Sequence, residues 1–378
     1  MNKKRFEDYK DINKLIKVCL SKSEGICNRS WVEIAQEFDN EFKPEALARF
    51  GKYISIYKRS LDIEEDNESE LLEIRKEKKK LSDQRRELNR NITELARMEQ
   101  LFETFERHLK ERKRVEIKNA KPTKKGRNKR EILIYISDVH YGVKVDNELN
   151  KYNPEIAKDS FNQLLKDTKE LTKLYKVNKA IVLLGGDIVS GIIHTNLRLQ
   201  QTEDVISQVL GVADLIEDFC MKLKATGVKI EVVGTIGNHS RIMADKKQSL
   251  NSENFERIVF KQLEKAGFKV LQESDTAVFE VAKNTVVALH GHQTSPAKAF
   301  EYCVKRKKVI PKTILIAHFH SDTRLDNGCN VIINGSMVGV DEYALEKGYN
   351  SQPHQKIMIF EEGKGEICTF KTIFDNRV

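Results

Sequence analysis

Ile132-Leu133-Ile134-Tyr135-Ile136-Ser137 runs directly into Asp138-Val139-His140, an apolar stretch too short for a helix that ends on a carboxylate and an imidazole. Such runs read as buried strands when they alternate with helical stretches. Four more follow. Residues 180–184 lead to Gly186-Asp187, 230–234 to Gly237-Asn238-His239, 286–289 to His290, and 314–316 to His318-Phe319-His320. Helices are expected near 154–176, 200–225, 251–266 and 295–307, with further strands at 331–334, 356–361 and 368–374. This alternation predicts an α/β sandwich in which successive strand tips present donors to one shared two-metal centre.

Asp138 and Asp187 offer charged oxygen, Asn238 an amide oxygen, and His140, His290, His318 and His320 imidazole nitrogen. A mixed nitrogen and oxygen set without thiolate suits two divalent ions, manganese first with iron or zinc as alternatives, and is wrong for a calcium cage or a zinc ribbon. A lone D-x-H or H-x-H is usually accidental. Five clusters at strand ends, several beside glycines that let backbone approach closely, are hard to explain as packing.

The order D-x-H, G-D, G-N-H, H and H-x-H resembles the calcineurin-like metallophosphoesterase superfamily over about residues 131–340. That resemblance implies a four-layer double β-sandwich flanked by helices, with a dinuclear site at one edge. It places Asp138, His140, Asp187 and His320 on one metal and Asp187, Asn238, His290 and His318 on the other, bridged by Asp187. Three departures stand out: Ala317 occupies the usual glycine before the last pair, Ser240 replaces the acid that often follows G-N-H, and no arginine-glycine pair follows Gly186-Asp187. The last disfavours protein phosphatase activity.

Two such ions with two aspartates leave net positive charge to polarise a phosphodiester and to generate a bridging hydroxide for in-line attack. His239, beside Asn238 but outside the ligand set, is the expected general acid, with an orienting hydrogen bond as its alternative role. His194, Arg198 and Arg241 are the candidate substrate contacts, His194 and Arg198 following the Asp187 loop and the arginines suiting phosphate; ordinary surface pairing explains the arginines nearly as well. His292 follows His290 closely, and either could be the ligand.

The first 130 residues differ in kind. They hold 34 Lys+Arg against 25 Asp+Glu, whereas residues 131–378 hold 32 of each, so the net +9 sits on the N-terminal arm. Residues 1–60 read as a small helical module resembling a helix-turn-helix: Ser30 and Glu33 form a capping box, and Pro44 opens a helix carrying Arg49, Lys52 and Lys58. A unit used only for assembly has the same spacing. Residues 61–118 lack glycine and proline, and Ile74, Leu81, Leu88, Leu95, Phe102 and Leu109 recur every seventh residue, predicting a coiled coil and a homo-oligomer. Lys78 and Arg85 break the partner row, and the pattern shifts by a three-residue stammer after Leu95.

Residues 119–131 form a basic linker before the catalytic part, 132–378, and such a run attracts polyanions or is simply solvated. Six scattered cysteines, an N-terminus without an apolar leader and no membrane-length apolar stretch predict a cytoplasmic protein with no membrane association. The combined expectation is a DNA nuclease resembling the SbcD-type exonuclease branch and phage phosphoesterases. The alternative is a phosphatase or cyclic-nucleotide phosphodiesterase whose coiled coil only oligomerises it. A DNA-binding scaffold with a vestigial site conflicts with the complete donor set.

Overall fold

The computed structural model describes residues 11–111 and 129–375, apart from Asp39, His194, Lys247, Gln248 and Asn327; side chains at 62–70, 94, 95, 97, 98, 101, 102, 105, 106, 108, 109 and 195–197 are also outside the description. Two compact units divide the chain, residues 1–100 and 101–378.

In the first unit, α1 (Ile12–Ser23), α2 (Trp31–Glu37) and the start of α3 (Pro44–Glu111) close on a small core of Leu15, Cys19, Ile34, Ala35, Phe38, Phe42 and Leu47. The capping box forms as the sequence dictates: the Ser30 N–H donates to Glu33 Oε2 at 2.6 Å and the Glu33 N–H to Ser30 Oγ at 3.2 Å. The α3 helix runs unbroken through residues 60 and 61, where the sequence pattern changes from module to heptads. Its heptad residues Leu71, Ile74, Leu81, Leu88 and Ile92 are all exposed in the single chain. Leu95, Phe102 and Leu109 lie among the side chains outside the description, as does most of the basic linker.

The second unit contains β1 (Arg130–Ile136), the short pair β2 (Val145–Asp146) and β3 (Lys151–Tyr152), α4 (Pro154–Leu174), β4 (Lys179–Leu184), α5 (Thr195–Gln200), α6 (Val205–Lys224) and β5 (Lys229–Thr235). After these come α7 (Glu256–Lys265), β6 (Lys269–Ser274), β7 (Thr276–Val281), β8 (Asn284–Leu289), α8 (Ala299–Lys307) and β9 (Thr313–Ile316). The chain closes with β10 (Thr323–Asp326), β11 (Asn330–Ile333), α9 (Glu342–Glu346), β12 (His354–Glu361) and β13 (Gly365–Ile373).

These strands build a six-stranded sheet, β13-β12-β1-β4-β5-β6, and a five-stranded sheet, β10-β11-β9-β8-β7. Side-chain alternation assigns the layers. On β1, Ile132, Ile134 and Ile136 pack toward α4, α6 and α7, while Leu133 and Tyr135 enter the core between the sheets. On β8, Val286 and Ala288 enter that same core, while Val287 and Leu289 lie under α8 with Ala299 and Cys303. The order is therefore helices, sheet, sheet, helix, with β1, β4, β5, β8 and β9 buried on both faces as their apolar runs require. No helix among the described residues is long and apolar enough to cross a membrane.

Strands β1, β4 and β5 run parallel in one sheet, and β8 and β9 run parallel in the other. Every expected donor cluster follows the C-terminal end of one of these five strands.

At the far end of the first sheet, Glu231 accepts from Lys229 Nζ at 2.9 Å and lies 3.0 Å from Lys179 Nζ. Burial alone would raise its carboxyl, but the Lys229 and Lys179 ammonium groups hold it at about 2. A depressed folded pKa stabilises above the unfolded value of about 4.3 and loses that contribution as pH falls toward 2. Glu231→Gln is expected to lower unfolding free energy by about 1–2 kcal/mol at neutral pH, discounted for the solvated lysines, and by little near pH 2. Urea denaturation at both pH values checks this, and an equal deficit at low pH would refute it.

Candidate metal centre

The donors converge. Asp138, His140 and His320 form one group, His140, Asp187 and His239 a second, and Asp187, His290 and His318 a third, with donor atoms in each group within 4.8 Å of one another. Because His140 and Asp187 are shared between groups, the three form one continuous cluster. Asn238 joins it through Oδ1, 3.1 Å from His290 Nε2.

The backbone explains how side chains from five strands meet. Asp138, His140, Asp187, His318 and His320 all have φ between 45° and 70°. Left-handed backbone at a non-glycine residue costs about 1 kcal/mol or more and is rare outside turns. Here it curls the tips of β1, β4 and β9 back toward the centre. Gly186 at φ 91° continues the same turn, and Gly237 allows contact: a Cβ there would lie 2.1 Å from Asp187 N and 2.2 Å from Asp187 Oδ1.

Local hydrogen bonds fix the rings. His290 Nδ1 lies 2.9 Å from the Gly185 carbonyl, which only accepts, so Nδ1 carries the proton and Nε2 turns to Asp187 Oδ2 at 2.9 Å. His239 Nδ1 faces the Ser190 carbonyl at 3.2 Å in the same sense, and its backbone N–H donates to Asp187 Oδ1 at 2.8 Å. His320 Nε2 is 3.3 Å from Asp138 Oδ1 and 3.4 Å from His140 Nε2. Among the described residues this nitrogen and oxygen donor set, its rings oriented through their second nitrogens, fits divalent transition ions.

Charge is tightly coupled here. Burial alone would lower the His290 pKa, but the Asp187 carboxylate and its hydrogen bond outweigh it and raise it to about 10. Burial likewise disfavours the Asp187 anion, yet His290 and then His239 hold its pKa well below the usual carboxylate range. His320 is raised by Asp138 against its own burial, whereas burial and neighbouring imidazoles depress His140 strongly and His318 to about 4.

The remaining expected residues are placed as follows. His292 lies apart from the three donor groups, its ring 5.6 Å from that of His290, so His290 is the histidine of that pair that meets Asp187. Arg241 donates from Nε to the Asn238 carbonyl at 3.0 Å, and its buried Nη1 has no hydrogen-bond partner among the described residues. Arg198 is exposed on α5, outside the cluster's contacts, and His194 lies outside the described residues.

One residue had no sequence signal. Glu256, fully buried at the start of α7, accepts the Ile188 N–H and the Gly237 N–H, both at 2.8 Å, and so ties the Asp187 loop to the Asn238 loop. Burial and then the Asp187 charge push its pKa up to about 7.

No family model matches the chain. SPbeta prophage-derived uncharacterized protein YonJ from Bacillus subtilis (strain 168) is 26% identical over 393 residues, covering 95% of both chains. Solved structures similar to part of this chain include a Staphylococcus aureus protein assigned as a 5'-nucleotidase, 12% identical with TM-score 0.37; 66% of this chain spans 55% of that one. A metallophosphoesterase from Sphaerobacter thermophilus is 13% identical with TM-score 0.31, covering 65% of this chain and 89% of that one.

Metal uptake must displace the proton that His290 holds at neutral pH, since its pKa is raised to about 10. Manganese titrations in buffers of different ionisation enthalpy are expected to report net proton release, with affinity rising as pH rises from 6 to 8 (about tenfold per proton released and pH unit). Gly237→Ala is expected to abolish this binding because Asp187 has no room to retreat. Manganese affinity unchanged in that variant would refute the geometry.

Proposed function

We propose that the chain is a metal-dependent phosphoesterase that hydrolyses phosphodiester bonds in nucleic acid. The observation that carries this reading is the single cluster in which His140 and Asp187 each belong to two donor groups. Asp138, His140, Asp187 and His320 would hold one divalent ion and Asp187, Asn238, His290 and His318 the other, manganese being the first expectation with iron or zinc as alternatives. Bound there, such ions supply positive charge that polarises a phosphoester and acidifies water.

The chain's own residues do the rest. His239, anchored through Nδ1 to the Ser190 carbonyl, is the residue that would deliver a proton to the departing oxygen. Its ring centroid lies 4.6 Å from that of His140, and it belongs to the donor group that His140 and Asp187 share. Arg241, held by the Asn238 carbonyl with Nη1 unpaired, is poised to take a phosphate oxygen. Glu256 keeps the Asp187 and Asn238 loops in register.

Nucleic acid is favoured over a small phosphomonoester by the charge excess on residues 1–130. The α3 seam supports a homo-oligomer, because Leu71, Ile74, Leu81, Leu88 and Ile92 repeat on one stripe, all exposed in the single copy. A prophage-derived relative matching end to end supports a phage setting.

Manganese-dependent cleavage of single-stranded and plasmid DNA by the full chain is the decisive assay. Asp187→Ala is expected to abolish it, and His239→Ala to retain metal while losing about a hundredfold or more in turnover. Activity surviving Asp187→Ala, or turnover unaffected by His239→Ala, refutes the respective role. For assembly, light scattering of the full chain is expected to give a multiple of 43.6 kDa that Leu81→Asp with Leu88→Asp reduces to one; a monomer at the outset removes the oligomer.

A further inference from the structure

We infer that the open cleft beside α8, about 430 Å³ and lined by Tyr302, Lys305 and Arg306, is a second phosphate-binding position for the strand whose phosphodiester lies at the metal centre. The inference rests on the nucleic-acid reading above and narrows its substrate to a polynucleotide.

Charge singles out this segment. Residues 298–312 carry six Lys+Arg against Glu301 alone, although residues 131–378 as a whole are balanced. The negative end of a nine-residue helix favours a cation or two in its last turn, not six across fifteen residues around a tyrosine-walled cleft. Lys305 and Arg306 are 74% and 59% exposed; Arg306 meets Asp275 at 3.5 Å and Lys305 pairs with Glu301 one helical turn away. Pairs this solvated are worth little, so both cations can serve an incoming anion. A tyrosine flanked by two cations suits a nucleotide's base and phosphate together.

Contacts place the cleft at the metal end of the sheet. Thr276 pairs with Leu289, so Asp275 sits at the strand end from which His290 projects. The Gln293 amide donates to the Asp275 carbonyl at 3.1 Å, and the Gly291 N–H donates to Gln293 Oε1 at 2.9 Å. Arg306 is thus linked through Asp275 and Gln293 to the residue that follows His290. The cleft is separate from the donor cluster, so only a ligand with phosphates at spaced positions can occupy both. A mononucleotide reaches one or the other.

The test compares wild type and Lys305→Glu with Arg306→Glu, full chain with manganese, on a single-stranded 12-mer and on bis(p-nitrophenyl) phosphate. The variant is expected to raise KM for the 12-mer about tenfold with a shallower salt dependence, while kinetics on the small diester stay the same. Lys305→Arg with Arg306→Lys should restore the wild-type KM. An unchanged KM for the 12-mer overturns the inference, and so does an equal loss on both substrates. So does a variant whose 12-mer kinetics hold while its retention on anionic phospholipid vesicles falls. Should wild type cleave neither substrate, the catalytic reading fails separately, and anisotropy of the labelled 12-mer decides the cleft: about tenfold weaker binding by the variant supports it, equal binding overturns it.

Discussion

The buried carboxylate of Asp187 is the contact on which the rest of the second unit turns. Its Oδ2 meets His290 from the second sheet, its Oδ1 accepts the His239 N–H from the β5 loop, and its carbonyl accepts the His140 N–H from the β1 loop at 3.0 Å. A charge with almost no exposure is costly unless opposite charge surrounds it. Imidazolium at His290 provides that charge, and divalent ions held by the same donors would provide more of it while freeing the proton. Holding the two sheets together at this edge and attracting cations are therefore consequences of one electrostatic requirement.

Backbone strain points to the same place. Among the described residues, half of the ten non-glycine residues with positive φ are expected ligands, a concentration that packing alone does not produce. Surrounding bonds hold these turns closed: the Asp138 N–H donates to the Gly186 carbonyl at 3.0 Å, the Met337 N–H to the Asp138 carbonyl at 3.1 Å, and the His318 N–H to both Asp138 oxygens. Each strand tip is thus fastened by a neighbour carrying another donor. Distortion at one tip must spread to the others, which is how a site on loops acquires the rigidity of the sheets beneath it.

The five donor-bearing strands were legible because each is buried on both faces and reads as an unbroken apolar run ending on a polar residue. Strands β6, β7 and β10 escaped the same reading: Lys269, Gln272 and Glu273 interrupt the first, Glu280 the second, and Arg324 and Asp326 the third, as strands at sheet edges permit. Residue identity and order announced the donor set, but not the positive φ of its members, because backbone torsion at Asp or His leaves no mark on composition. Glu256 was illegible for a different reason. Its partners are two backbone amides 68 and 19 residues away, and no local pattern encodes such a contact.

Glu256 also accounts for the departure at Ser240. The Phe255 N–H donates to the Ser240 carbonyl at 2.9 Å, which brings the start of α7 against the G-N-H loop and sets the Glu256 carboxylate where an acid at 240 would compete. Ser240 is fully buried, so an acid in its place would add another carboxylate beside Glu256 and Asp187, where like charges raise each other's pKa. A hydroxyl avoids that repulsion while α7 delivers the acid. Ala317 is accommodated with equal economy: its N–H donates to the His290 carbonyl at 2.8 Å and its methyl group joins the core between the sheets, so the position calls for no left-handed glycine. Both departures preserve the donor geometry by moving a neighbouring contact.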